Sequence, residues 1–301
     1  MAKGNNNNQN VRSFQPQFKE LLQAVFQKQS YFGDFFGGGI EALDGVQHNE
    51  NAFYVKTSDI PVVVGSAYNK GANVAFGTGT SNSTRFGERT EIIYVDTPVP
   101  YTWEWVYHEG IDRFTVNNDF NAAIADRLDL QAQAKVAQFN KAHGKFISNS
   151  AGETEELAGF EPDAVLALFN KLSNHFVNIE AVGTKVAKVT PELYNAIVDH
   201  PLTTSGKHSA ANIDTNGILM FKGFQIQEIP DAMFQEGEVA YAYIQGVGKA
   251  FTGINTARTI ESEDFDGVAL QGAGKAGEFI IEDNKPAVVK VTGSAGGEEG
   301  N

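Results

Sequence analysis

The chain has 301 residues, no cysteine and a formal net charge of −14. Without cysteine it can hold neither disulfides nor thiolate metal sites. Its negative charge disfavours nucleic-acid binding through phosphate contacts. The amino terminus lacks the apolar core of a signal peptide, and no run of residues approaches the ~18 apolar residues of a membrane span, so no membrane partner is expected.

The first 15 residues are polar and rich in asparagine, which predicts a tail without a core of its own. An amphipathic pattern follows from Pro16, and its apolar positions include Phe18, Leu22 and Phe26. A helix this short is marginal alone. We therefore expect its apolar face to be buried against this chain or against another copy.

Between Ala52 and Val95 the pattern changes to β, with strands predicted at 53–55, 60–64 and 91–95. The glycine-rich stretch from Tyr68 to Arg89 has little to bury. It could be a loose surface loop, or a β-hairpin arm that becomes ordered on a neighbouring subunit. In the second interpretation four of its residues contact that neighbour, and the cationic ones pair with its acids: Lys70, Arg85, Phe86 and Arg89.

The stretch from Tyr101 to Tyr107 alternates so that four aromatic side chains share one strand face: Tyr101, Trp103, Trp105 and Tyr107. Core or interface packing is the favoured interpretation, and sugar binding is the alternative. Glu104 and Glu109 are the carboxylates considered for glycosidase-like chemistry. Their spacing places them on opposite faces of a strand, which argues against a catalytic pair.

The longest helical pattern runs over 118–145, with apolar residues at three- and four-residue steps. Asn117 or Asn118 is predicted to cap it and Gly144 to end it. Further helices are predicted from Pro162 and over 192–199, the latter after a strand at 185–189 and a Thr190 cap. Other strands are predicted at 218–221, 223–229, 239–244, 278–281 and 287–291. This mixture indicates an α+β protein.

The sequence contains only weak matches to known cofactor, metal and catalytic motifs. Gly272, Gly274 and Gly277 spell GxGxxG, but a strand pattern follows where a dinucleotide site needs a helix. The acidic turn at 262–267 resembles half of a calcium loop without its closing glutamate. The six histidines form no ligand pair. We therefore expect no cofactor, no metal and no catalytic residue.

The order of signals between Lys185 and Ile244 resembles the axial domain of tailed-bacteriophage major capsid proteins, which have the Hong Kong 97-type shell fold. A strand leads into Thr190-Pro191-Glu192, and Gly223-Phe224-Gln225-Ile226 is followed by Ile229-Pro230. The resemblance implies a layout for nearly the whole chain: an N-terminal arm (1–51), an extended β-hairpin loop (52–96), a peripheral domain (97–180 and 245–292) with its spine helix (118–145), an axial domain (181–244) and a disordered tail (293–301).

The resemblance implies a structural subunit of a virus capsid, present in the virion and assembled in the bacterial host cytoplasm. Its partners would be other copies, in hexamers and pentamers of an icosahedral shell around double-stranded DNA, with a separate scaffolding protein and a portal. Contact with the packaged DNA would be weak and non-specific. The alternatives are an encapsulin-like compartment shell and a carbohydrate-binding module.

Overall fold

The computed structural model of the protein describes 29–38, 40–42, 51–58, 60, 62, 64–65, 68–71, 85–86, 90–116, 119–201 and 219–293. The helices are α1 (Phe120–Ser150), α2 (Pro162–Asn178) and α3 (Pro191–Val198). The strands are β1 (Ile40–Ala42), β2 (Asn51–Thr57), β3 (Val95–Pro100), β4 (Trp103–Asp112), β5 (Glu153–Leu157), β6 (Lys185–Val189), β7 (Leu219–Phe221), β8 (Phe224–Glu228), β9 (Glu238–Ile244), β10 (Gly248–Glu261), β11 (Gly267–Ile280) and β12 (Val288–Gly293).

A six-stranded mixed sheet, in the order β5-β12-β9-β6-β8-β7, forms the larger core. Its apolar face packs against α2 and α3, where Phe169, Leu193 and Ile226 are buried. The predicted strand at 185–189 is confirmed, and the Thr190 side chain accepts a hydrogen bond from the Leu193 amide. Since β5 and β12 join this sheet from outside 181–244, the predicted axial segment shares its core with them.

A second sheet has the order β1-β10-β11-β4 and is dominated by a long antiparallel hairpin of β10 and β11. From the sequence we predicted a strand only at 278–281, and most of this hairpin was not predicted. The hairpin strands are rich in glycine, alanine and threonine, and their apolar partners come from a distant part of the chain. Local propensity therefore gave little signal.

The long helix α1 runs past its predicted end. Gly144 was expected to stop it, but the helix continues to Ser150. The cap is Asp119, whose carboxylate accepts hydrogen bonds from the Asn121 and Ala122 amides, and the predicted caps at 117 and 118 lie outside the described residues. Among the described residues, no helix is long and apolar enough to cross a membrane.

Residues 29–38 precede the first strand and form an anchor segment, for which the sequence analysis predicted neither a helix nor a strand. Phe32, Phe35 and Phe36 are buried in a second core between α1 and the six-stranded sheet. Asn140 of α1 donates a side-chain hydrogen bond to the Gln29 carbonyl. The segment thus joins the long helix to the sheet.

The strands β2 and β3 pair as a separate two-stranded antiparallel ribbon. The predicted strand at 91–95 was wrong in its bounds, because β3 begins at Val95 and runs through two prolines. Prolines are tolerated there because an edge strand leaves some amides unpaired. The described residues of the predicted strand at 60–64 are not in a strand either.

Candidate assembly surface

In the described part of the chain, the ribbon formed by β2 and β3 packs against the other elements at its base. Ala52 and Val99 are buried there against Phe251 of β10. The ring of Phe53 lies 5.1 Å from that of Phe251 in an edge-on contact. The base is therefore a small core that holds the ribbon in place.

Beyond its base, the chain around the ribbon exposes large apolar side chains. Phe86 is 84% exposed, and Tyr94 is 66% exposed. The other exposed apolar residues that the structure describes in this region are Tyr54, Val62, Val64, Tyr68, Ile92, Ile93 and Val95. Such a concentration of exposed apolar side chains is typical of a surface that another molecule covers. We call these nine residues the apolar ribbon surface.

Three of the predicted contact residues lie in the described part of this loop. Lys70 is exposed. The Asn69 amide donates to the Arg85 carbonyl at 2.9 Å, and the ring of Phe86 packs 5.0 Å from that of Tyr68. Residues 68–69 and 85–86 thus lie next to each other. The remaining predicted contacts, Phe18, Leu22, Phe26 and Arg89, lie outside the described residues.

The aromatic face of β4 packs against the long helix. The rings of Trp103 and Trp105 lie 4.7 and 5.4 Å from that of Phe139. Lys135 places its ammonium group 4.5 Å from the Trp105 ring, which is only 6% exposed. The burial of Trp105 agrees with the packing interpretation, whereas Tyr101, Trp103 and Tyr107 are half-buried.

The glycines of the GxGxxG motif lie inside strand β11 and make room for aromatic rings. Gly272 pairs with Tyr107, and Gly274 pairs with Trp105. A Cβ atom on Gly274 would lie 2.0 Å from the Trp105 ring. The motif is therefore a packing device between strands and has no helix to hold a pyrophosphate.

The acidic turn between β10 and β11 is bound by an arginine. Arg113 donates hydrogen bonds to Asp266 at 3.3 Å and to Glu261 at 3.0 Å. Across the described ranges, no three histidine or carboxylate side chains gather as metal ligands. The cation that faces this turn is thus the guanidinium.

The two glutamates of β4 lie on opposite faces of the sheet, as their spacing predicted. Glu109 makes a two-pronged ion pair with Arg127 of α1, which holds the pKa of that carboxyl below its usual range. Glu104 pairs with Lys275 at 3.0 Å. These contacts fix the helix and the strands, and they form no acid–base pair across a cleft.

Two buried ionisable pairs were missed at the sequence level. His143 of α1 lies 3.6 Å from a Glu278 oxygen, and Lys188 of β6 lies 3.0 Å from an Asp34 oxygen. Burial lowers the pKa of His143 to about 4 and raises the pKa of Glu278. The partners are far apart in sequence, so no local pattern could have indicated either pair.

Comparison of the sequence with protein-family models and with curated proteins finds no match. Solved structures do match. The capsid of cyanophage P-SCSP1u has a TM-score of 0.66 at 9% identity, over 89% of each chain. The mature capsid of bacteriophage PhiM1 has a TM-score of 0.65 at 10% identity, over 90% of this chain and 89% of that one. A Mycobacterium phage Che8 structure has a TM-score of 0.59 at 13% identity, over 88% and 92%. The chain therefore has the Hong Kong 97-type fold of tailed-phage capsid proteins, as the resemblance predicted.

Proposed function

We propose that this protein is a structural, non-enzymatic subunit of a bacteriophage capsid. Copies of it assemble into hexamers and pentamers of an icosahedral shell that encloses a double-stranded DNA genome. The observation that carries the proposal is the likeness of fold to phage capsid structures, which extends over about nine-tenths of this chain and of theirs.

The apolar ribbon surface supports the assembly part of this proposal. Its side chains are exposed in the described part of the chain, and burying them against another subunit would contribute roughly 25 cal/mol for each Å² of apolar surface removed from solvent. A ribbon on one side of a subunit that contacts a different surface on the next subunit makes a heterologous contact. Repeated contacts of that kind close into rings. We infer that the ribbon of one subunit lies on the next.

The charge of the chain suits a container for DNA. A net charge of −14 keeps the subunit soluble and repels the DNA phosphates, so the packaged genome does not adhere to the wall. Such a shell would assemble in the host cytoplasm around a separate scaffolding protein, with a portal for DNA entry.

The test is to purify the chain, measure its mass in solution by light scattering after size exclusion, and image every peak by electron microscopy. Rings, tubes or closed shells are the expected result, if necessary after coexpression with the scaffolding protein. A chain that stays monomeric in both settings contradicts the proposal. Shells purified from an infected host are expected to hold DNA, and a protein cargo in its place would instead indicate an encapsulin-like compartment.

A further inference from the structure

The buried pair formed by Asp34 and Lys188 has an unusual geometry for an ion pair. Lys188 lies on a central strand of the six-stranded sheet, and its side chain is only 3% exposed. Its Nζ atom is 3.0 Å from Oδ2 of Asp34, in the anchor segment. That Oδ2 atom nevertheless accepts no hydrogen bond of normal geometry within the described chain. The amine is therefore close to the carboxyl group without being aligned as a hydrogen-bond donor to it.

The other carboxyl oxygen of Asp34 has two donors. The Tyr243 hydroxyl donates to Oδ1 at 3.0 Å, and the Phe35 amide donates to it at 3.1 Å. Two donors on one carboxyl oxygen are the arrangement that stabilises an oxyanion when a nucleophile adds to the carbon. The carboxyl carbon is one bond away from Oδ2, so the amine lies next to the carbon that it would attack.

We propose that Lys188 and Asp34 form an intramolecular isopeptide bond. The Nζ atom attacks the carboxyl carbon of Asp34, and the resulting oxyanion at Oδ1 is held by the Tyr243 hydroxyl and the Phe35 amide. The Oδ2 atom then leaves as water. Its two protons come from the Lys188 ammonium group, so the ammonium and the carboxylate become one amide and one water. No oxidant, metal or further reactant takes part.

The surroundings favour this reaction over a permanent ion pair. Burial lowers the pKa of Lys188, which makes the neutral, nucleophilic amine more accessible. Gln227 accepts a hydrogen bond from the amine and holds it in place. The rings of Phe35 and Tyr243 lie 4.9 Å apart and exclude water from this side of the pair. Exclusion of water removes the reactant that would hydrolyse the amide.

The bond would have a mechanical consequence. Asp34 lies in the segment that leads from the amino-terminal residues into the core, whereas Lys188 lies in the middle of the main sheet. A covalent link between them would prevent force on the amino-terminal residues from pulling the anchor segment out of its site. This inference does not depend on the capsid proposal.

The experiment is intact-mass spectrometry of the purified, denatured full-length chain. The expected mass is lower than the sequence mass by one water, and proteolysis is expected to give a branched peptide that joins the Asp34 and Lys188 segments. The Lys188→Arg chain keeps the positive charge without this amine and is expected to have the full sequence mass. In the Asp34→Asn chain the same bond would form with loss of ammonia instead of water.

Tyr243→Phe tests the oxyanion contact separately. Removing one such donor is expected to slow the loss of water on the order of 10²-fold, with the fold kept because the ring remains. A wild-type chain that keeps its full mass after prolonged incubation of the folded protein would overturn the proposal. So would an equal loss of water in the Lys188→Arg chain, since the water would then come from another aspartate.

Discussion

The imidazole of His143 is enclosed by aromatic rings and a carboxyl group. The Phe36 and Phe139 rings lie 4.5 and 5.6 Å away, and neither imidazole nitrogen makes a hydrogen bond among the described residues. Burial lowers the pKa of His143 to about 4, whereas an unfolded chain has a histidine pKa of about 6.5. Between these values the unfolded chain binds more protons. The free energy of unfolding therefore falls as the pH falls through this interval.

Replacing His143 with Gln is expected to flatten this pH dependence. The wild-type free energy of unfolding should lose up to ~3 kcal/mol between about pH 6.5 and pH 4 through this group, and the variant should lose less. Glu278 has a raised pKa and contributes a slope of opposite sign. Urea unfolding at a series of pH values measures the slopes. Identical slopes would show that His143 does not titrate in this way.

Gly274→Ala tests the packing of glycine against an aromatic ring. The new methyl group would lie 2.0 Å from the ring of Trp105, which is itself held by Phe139 and Lys135. We expect a loss of about 1–3 kcal/mol in the free energy of unfolding, measured in urea. Gly159→Ala is the control, because a Cβ there meets nothing within 4 Å. A Gly274→Ala chain as stable as the control would refute the packing role.

At the scale of elements, the sequence predicted those whose signals are local. The strand from Lys185 to Val189 and its Thr190 cap were found because a cap, a proline and an apolar run stand next to each other. The long hairpin of β10 and β11 was missed because Gly272 and Gly274 in its middle are explained by aromatic residues of β4, more than 150 residues earlier in the chain. The pairing of Lys188 with Asp34 was missed for the same reason.

For Gly144→Ala in the long helix, the sequence and the structure predict changes of opposite sign in the free energy of unfolding. Helix propensity alone says that Gly144→Ala stabilises the chain by about 1 kcal/mol. In the structure, a Cβ on Gly144 would lie 2.2 Å from the Met233 carbonyl oxygen. This oxygen is a backbone atom, so it cannot move away by a side-chain rotation. We therefore expect destabilisation by roughly 1–3 kcal/mol in thermal and urea unfolding. Lys145→Ala, at an exposed neighbouring position, should stay within about 0.5 kcal/mol of wild type. A stabilised Gly144→Ala chain would show that the helix can move away from Met233.

At the scale of the whole molecule, the cores and the apolar ribbon surface have separate roles. The six-stranded sheet, the long helix and the anchor segment bury their apolar side chains within one chain. The apolar ribbon surface buries almost none of its own beyond the base. A change in the ribbon should therefore leave folding intact and affect only what the subunit does with its neighbours.

Deletion of Asn69 to Glu88 tests this separation. The Asn69 amide donates a hydrogen bond to the Arg85 carbonyl, so the two sides of the loop are adjacent at that point, and a flexible glycine-rich linker replaces the deleted residues. We expect a soluble chain with wild-type circular dichroism and unfolding midpoint that forms no rings or shells under conditions in which the intact chain does. Val182→Ser is the control, because it changes an equally exposed apolar residue (94%) far from the ribbon in sequence and should assemble normally. Normal particles from the deletion would show that the loop is dispensable, and the contacts that close the shell would then have to lie on other surfaces of the subunit.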